Sequence, residues 1–173
     1  MDLKLEHSKL EHTRVFQFNE RSILIQMDSS INPKTLDFIL NLKAKIRLKT
    51  EEPLLQVINT YNSLLVIFKY SISDFNANKN KILELISNLE DKPISQKVKK
   101  KIPLCYDEEF GYDLKELSED LGLSISEIIS RHSETIYTVY FIGFMPGFPY
   151  LGGLDSSLFH RRKSQPRAQI PAG

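Results

Sequence analysis

The chain has 173 residues, 41% hydrophobic and 26% charged, which is enough apolar material for one domain or two small ones and excludes disorder as a global description. Lys and Arg number 23 against 22 Asp and Glu, so a formal net charge of +1 sets up no field that would draw in nucleic acid or an acidic membrane. One cysteine, Cys105, excludes an intramolecular disulfide, the opening residues lack an apolar signal core, and no apolar run nears the roughly 20 residues that span a bilayer; a cytoplasmic protein is expected.

Residues 13–18 and 22–27 are short β-rich runs around Asn19-Glu20-Arg21, a hairpin pattern. A helix follows, with Asn32 as N-cap, Pro33 at its first position, and Leu36, Ile39, Leu42 or Lys43, and Ile46 at helical spacing. The same unit is then written again. Residues 54–60 and 63–69 flank Tyr61-Asn62, and a helix from about Asp74 to Leu89 carries Phe75, Ile82, Leu85, Ile86 and Leu89 on one side. A single ββα unit cannot bury both its sheet face and its helix stripe, so two copies are predicted to pack as one four-stranded sheet under two helices. The fold class is therefore α+β, with a duplicated ββα sandwich over residues 1–94.

Asp91-Lys92-Pro93 breaks the second helix, and residues 96–106 begin a different segment, so the second domain is placed at 95–173. Lys97, Lys99, Lys100 and Lys101 fit either an anionic ligand or a solvated strand edge protected against stray pairing. Cys105, between Leu104 and Tyr106 at an expected strand end, reads as packing, because no cationic or helix-terminal setting activates its thiol. Asp113 with Glu116, and Ser124 with Glu127, are capping-box patterns, each opening a short amphipathic helix, with Gly122 as the stop between them. This helix-turn-helix arrangement does not fit DNA reading. Its second helix offers only Arg131 and His132, both at the C-terminal end, whereas such helices contact bases from their first turns.

Residues 137–142 form a β-rich run with apolar residues on both faces and lead into residues 143–153, where four glycines and two prolines rule out helix or regular strand. Between them stand Phe144, Phe148 and Tyr150, and Gly147 permits a tight backbone turn. The loop fits a ligand or partner surface with an aromatic wall, or a loop tucked in as a small core. Arg161-Arg162 and Pro166-Arg167 follow, guanidinium groups suited to carboxylate or phosphate. No set of residues predicts a metal site.

Residues 137–154, YTVYFIGFMPGFPYLGGL, followed by Arg162, Pro166-Arg167 and Ile170-Pro-Ala-Gly, resemble the PxpB/KipI family, also called allophanate hydrolase subunit 1. Ile102-Pro-Leu-Cys-Tyr, Asp113-Leu, and Ser126 through His132-Ser133 extend the likeness. Two departures stand out: Pro149 replaces a usual alanine, and relatives continue beyond Gly173 with further strands, so the chain is expected to be C-terminally incomplete.

The resemblance implies a partial cyclophilin-like β-barrel as the second domain. It also implies a role as the B subunit of bacterial ATP-dependent 5-oxoprolinase, a hydrolase opening 5-oxo-L-proline to L-glutamate together with a PxpC/KipA-like and a PxpA-like subunit. ATP, with Mg, would act at the level of the complex, and this chain alone would be inactive. Relatives imply two alternatives, a binding protein that inhibits a sporulation sensor histidine kinase and a subunit related to urea carboxylase. Ligand or partner contact is expected at Phe144, Gly147, Phe148, Tyr150, Arg162 and Arg167. His132 is a candidate acid/base group, with a hydrogen-bonded structural histidine as the other reading.

Overall fold

The computed structural model describes residues 10, 12–28, 30–90, 92–93, 98–165 and 167. Among them the first hairpin is β1 (Thr13–Asn19) and β2 (Ser22–Met27), closed by a turn in which the Asn19 side chain accepts from the Arg21 N–H at 2.9 Å. Helix α1 (Pro33–Lys49) starts as its sequence requires. The Asn32 side chain accepts from Thr35 N–H, and proline occupies a position whose missing donor costs nothing. The second copy repeats the plan with β3 (Leu54–Asn59), β4 (Ser63–Phe68) and α2 (Phe75–Ser87), the last capped by Asp74, which accepts from Ala77 N–H.

All four strands pair antiparallel in the order β1-β2-β4-β3. The duplication sets the register. Leu24 lies opposite Leu65, and these are the third residues of the matching runs that begin at Ser22 and Ser63, so the two copies meet about a local two-fold at this pair. Alternation then sends Ile23, Ile25, Met27, Leu64, Val66 and Phe68 to one face, where they form a single buried cluster with Ile39, Leu42 and Ile46 of α1 and Ile82 and Ile86 of α2. Each fully buried side chain of this size contributes about 1.5–3 kcal/mol. The opposite face is less covered, with Phe16, Phe18 and Ile58 exposed.

The described residues fall into two compact units, one within Met1–Lys97 and Val139–Leu151, the other within Val98–Thr138 and Gly152–Gly173. The boundary expected between residues 94 and 95, with Asp91, Gln96 and Lys97, lies outside the described residues. Residues 139–151 group with the first unit although they follow the second unit's helices in sequence. They carry most of a two-stranded sheet, β5 (Thr138–Ile142) with β6 (Pro149–Gly152). The strand β6 corrects the expectation of irregular backbone through residue 153: Pro149 stands at the first residue of the strand, a position that tolerates its missing N–H.

The second unit holds α3 (Leu114–Leu121), α4 (Ile125–Glu134) and a 3-10 turn at Ser156–Leu158. Gly122 ends α3 at φ 63, as expected, and Ser124 and Glu127 form a complete capping box. The other box does not form. Asp113 makes no side-chain cap hydrogen bond, because its carboxylate is taken by cations described below. Residues 98–106 are irregular rather than a strand edge, and Cys105 is exposed rather than packed. Among the described residues no helix is long and apolar enough to cross a membrane.

Candidate functional site

The β5–β6 hairpin projects the aromatic loop. Gly143 N–H donates to the Phe148 carbonyl at 3.1 Å, and Phe148 N–H donates to that of Met145 at 3.0 Å. Gly147 sits at φ 82 with open space around it, so a side chain there would meet backbone strain and no clash. Phe144 is the less ordinary residue, a bulky side chain at φ 64 and 83% exposed. The left-handed region costs a non-glycine residue roughly 1–2 kcal/mol, and such strain concentrates at functional positions.

The rings form one connected series. Phe144 packs on Phe148 (centroids 5.8 Å apart), Phe148 on Tyr150 (5.4 Å), and Tyr150 stacks on Phe141 at 4.2 Å and 11°. Tyr61 completes it, lying 5.0 Å from Phe141, 5.2 Å from Tyr140 and 6.1 Å from Tyr150. These rings divide into a packed part and an exposed part. Tyr140, Phe141 and Tyr150 are a small core, whereas Phe144, Met145 and Phe148 are exposed with Ile142 and Leu151. Burial, and then the Tyr61 phenol, push the Tyr140 hydroxyl above its ordinary value.

This surface is also uncharged. Residues 135–154 contain no Asp, Glu, Lys or Arg, in a chain that is 26% charged. Contiguous exposed apolar surface marks contact sites, and the buried centre of a protein interface is enriched in aromatic residues and Met and depleted of charge. Sequence reasoning missed Tyr61, Tyr140 and Phe141. The charge gap was one available signal, and the tyrosine in the second hairpin turn, where the first has Glu20, was another.

The remaining candidates lie in the second unit. His132 is held on both sides: its Nδ1 is 2.6 Å from the Tyr106 hydroxyl, and the Tyr137 hydroxyl donates to its carbonyl at 3.1 Å. Burial raises the Tyr106 and Tyr137 phenols, which keeps both neutral. Arg167 grips Asp113 with both terminal nitrogens, at 2.8 and 2.5 Å, and lies over the Tyr112 ring. Lys163 bonds Asp113 at 2.8 Å and Glu116 at 2.5 Å, and His160 reaches Asp120 at 3.0 Å. Arg162 is exposed and makes no such contact among the described residues. Pro166 and residues 170–173 lie outside the described residues.

Hydrogen bonds from Arg167 and then Lys163 hold the Asp113 carboxyl at about 2, below its ordinary 3.8. A depressed carboxylate stabilises the fold above the unfolded value and loses that contribution as pH falls toward the folded one. Lys163 and Arg167 are therefore expected to loosen from the start of α3 between about pH 4 and pH 2. A carbon-detected NMR titration of Asp113 is expected to give a midpoint near 2, moved up toward 3.8 by Arg167→Ala. An ordinary midpoint in the unsubstituted protein would show that the bidentate pair does not form in solution.

The family model described as carboxyltransferase domain, subdomain C and D, matches residues 13–173. The chain is similar to the B subunit of 5-oxoprolinase from Bacillus subtilis (strain 168), 31% identical over 171 residues that cover 92% of this chain and 71% of the relative. It is 35% identical over 132 residues to the protein of that name from Haemophilus influenzae, covering 73% of this chain and 59% of the relative. A shorter stretch of 72 residues, 42% of this chain and 33% of the relative, is 43% identical to the Escherichia coli O157:H7 protein of that name. Among solved structures, the crystal structure of TTHA0988 superposes with a TM-score of 0.70 at 27% identity, covering 88% of this chain and 29% of that one.

Proposed function

This chain belongs to the PxpB family of 5-oxoprolinase subunits, built on carboxyltransferase subdomains C and D, and on that premise we propose that it serves as the B subunit of a cytoplasmic, ATP-dependent 5-oxoprolinase opening 5-oxo-L-proline to L-glutamate. The observation that carries the reading is the likeness to a protein of that name across 92% of this chain. A relative named as one lettered subunit of an enzyme implies further subunits, and the uncharged, exposed aromatic loop of residues 142–151 has the chemistry of a subunit contact. The partners proposed are a PxpC/KipA-like and a PxpA-like subunit. The second half of the chain is proposed to open a cyclophilin-like barrel.

ATP enters this reading as a co-substrate of the complex. Among the described residues no group of three or more His, Cys, Asp or Glu side chains is placed to hold a metal ion, and no step is routed through Mg on this chain. Of the two candidate arginines, Arg167 is committed to Asp113, which leaves Arg162 to meet a carboxylate or phosphate. His132, with Nδ1 engaged by Tyr106, keeps Nε2 as its one nitrogen for proton transfer in the assembled site.

The test is glutamate formation from 5-oxoproline and ATP by the three subunits together and with each omitted in turn. Activity is expected only from the full set. Turnover by this chain alone would contradict the shared site. No turnover with a full cognate set, together with inhibition of a sensor histidine kinase, would replace the enzymatic reading with that of a binding protein.

A further inference from the structure

We propose that the β3–β4 turn is a clamp that presents the aromatic loop, with Asn59 and Tyr61 as positioning residues and Lys43 as the support behind Asn59. The proposal deepens the reading of the loop as a contact surface and rests on it for its functional consequence.

A hairpin of two short strands is marginal by itself, and β5 and β6 span five and four residues. The loop between them nevertheless carries a strained, exposed Phe144, which persists only where the surroundings fix the backbone. Something outside the hairpin must hold it. Asn59 at the end of β3 and Tyr61 in the β3–β4 turn do so, one at each strand. On the β5 side, Asn59 is 7% exposed, and its Nδ2 donates to the Tyr140 carbonyl at 3.0 Å while its Oδ1 accepts from Lys43 Nζ at 2.8 Å. A lysine only donates and a carbonyl only accepts, so a side chain joining them needs one acceptor and one donor, and asparagine supplies both. On the β6 side, the Tyr61 hydroxyl donates to the Leu151 carbonyl at 3.2 Å, and its ring lies against Tyr140, Phe141 and Tyr150.

The duplication provides an internal control. The first copy's turn has the same place in its ββα unit, but 41 residues earlier Phe18 and Glu20 stand where Asn59 and Tyr61 do, both exposed, and the neighbouring Asn19 accepts from its own turn at Arg21 N–H. The gripping chemistry therefore belongs to the second copy and is not a requirement of the ββα fold. Burial lowers the Lys43 ammonium below its ordinary value, with Arg47 adding to the effect, consistent with a lysine half withdrawn from water to serve Asn59.

Amide exchange of the full chain tests the clamp, with affinity for the PxpC-like subunit as the second readout. Tyr61→Ala removes three ring contacts and a hydrogen bond, and is expected to speed exchange over residues 140–151 by about tenfold or more with β2 and β4 unchanged. Tyr61→Phe keeps the rings and should restore most of the protection. Asn59→Asp keeps the shape but loses the donor to Tyr140, and should loosen β5 by about threefold or more. Partner affinity should fall with loop protection across this series, not with melting temperature. Unchanged loop exchange in both Tyr61→Ala and Asn59→Asp would overturn the clamp, and if the alanine variant fails to fold, unchanged exchange in Asn59→Asp alone overturns it. A mobilised loop with unchanged affinity would uphold the clamp and overturn the loop as the contact surface.

Discussion

Replacing Phe144 by glycine is expected to weaken binding to the proposed partner subunit by about thirtyfold or more, the loss of about 2 kcal/mol typical of an aromatic anchor, with no loss of thermal stability. Two features make the effects separate. The ring is 83% exposed, so its removal opens no cavity in this chain. Glycine also relieves the strain of φ 64, so the melting temperature should hold or rise. Titration calorimetry and a thermal melt read the two quantities. Binding unchanged would remove Phe144 from the interface, and a lowered melting temperature would mean that its contact with Phe148 outweighs the relieved strain.

The largest effect on stability is expected at the first unit's core. Leu42→Ala deletes a fully buried side chain where α1 meets the inner face of the sheet, and should destabilise this unit by about 2–5 kcal/mol. Against a total of about 5–15 kcal/mol for a natural domain, that is a substantial share. Leu48→Ala on the same helix removes a residue that is 79% exposed, and should change stability by no more than about 0.5 kcal/mol. Urea unfolding of the two variants provides the comparison. Equal losses would mean that α1 does not bury the stripe that includes Leu42.

The first unit's sheet and helices were legible because their signals are local. Period-two runs, the Asn32 cap and the matching Ser22 and Ser63 segments each sit within a few residues of what they determine. What escaped was chemistry decided at a distance. Asp113 has the spacing of a capping box, but Arg167 and Lys163, far along the chain, form stronger charge-assisted bonds with it than a backbone N–H would. The strand at Pro149–Gly152 is too short and too rich in special residues to show a period, and exists because β5 pairs with it. Likewise Asn59 read as a strand residue and Tyr61 as a turn residue, since their partners at Tyr140 and Leu151 lie 81 and 90 residues away in sequence. The loop's aromatic residues were legible from composition, but their division into a packed part and an exposed part was not.

The most direct test of the central claim, that this chain engages another subunit through residues 142–151, is amide exchange of the chain alone and in the presence of the PxpC-like subunit. The account predicts slowed exchange centred on Gly143–Phe148, where the exposed rings of Phe144 and Phe148 would be covered, with the buried strands β2 and β4 exchanging at the same rate in both states. A stable complex that leaves the exchange of these loop residues unchanged while protecting another surface would contradict it.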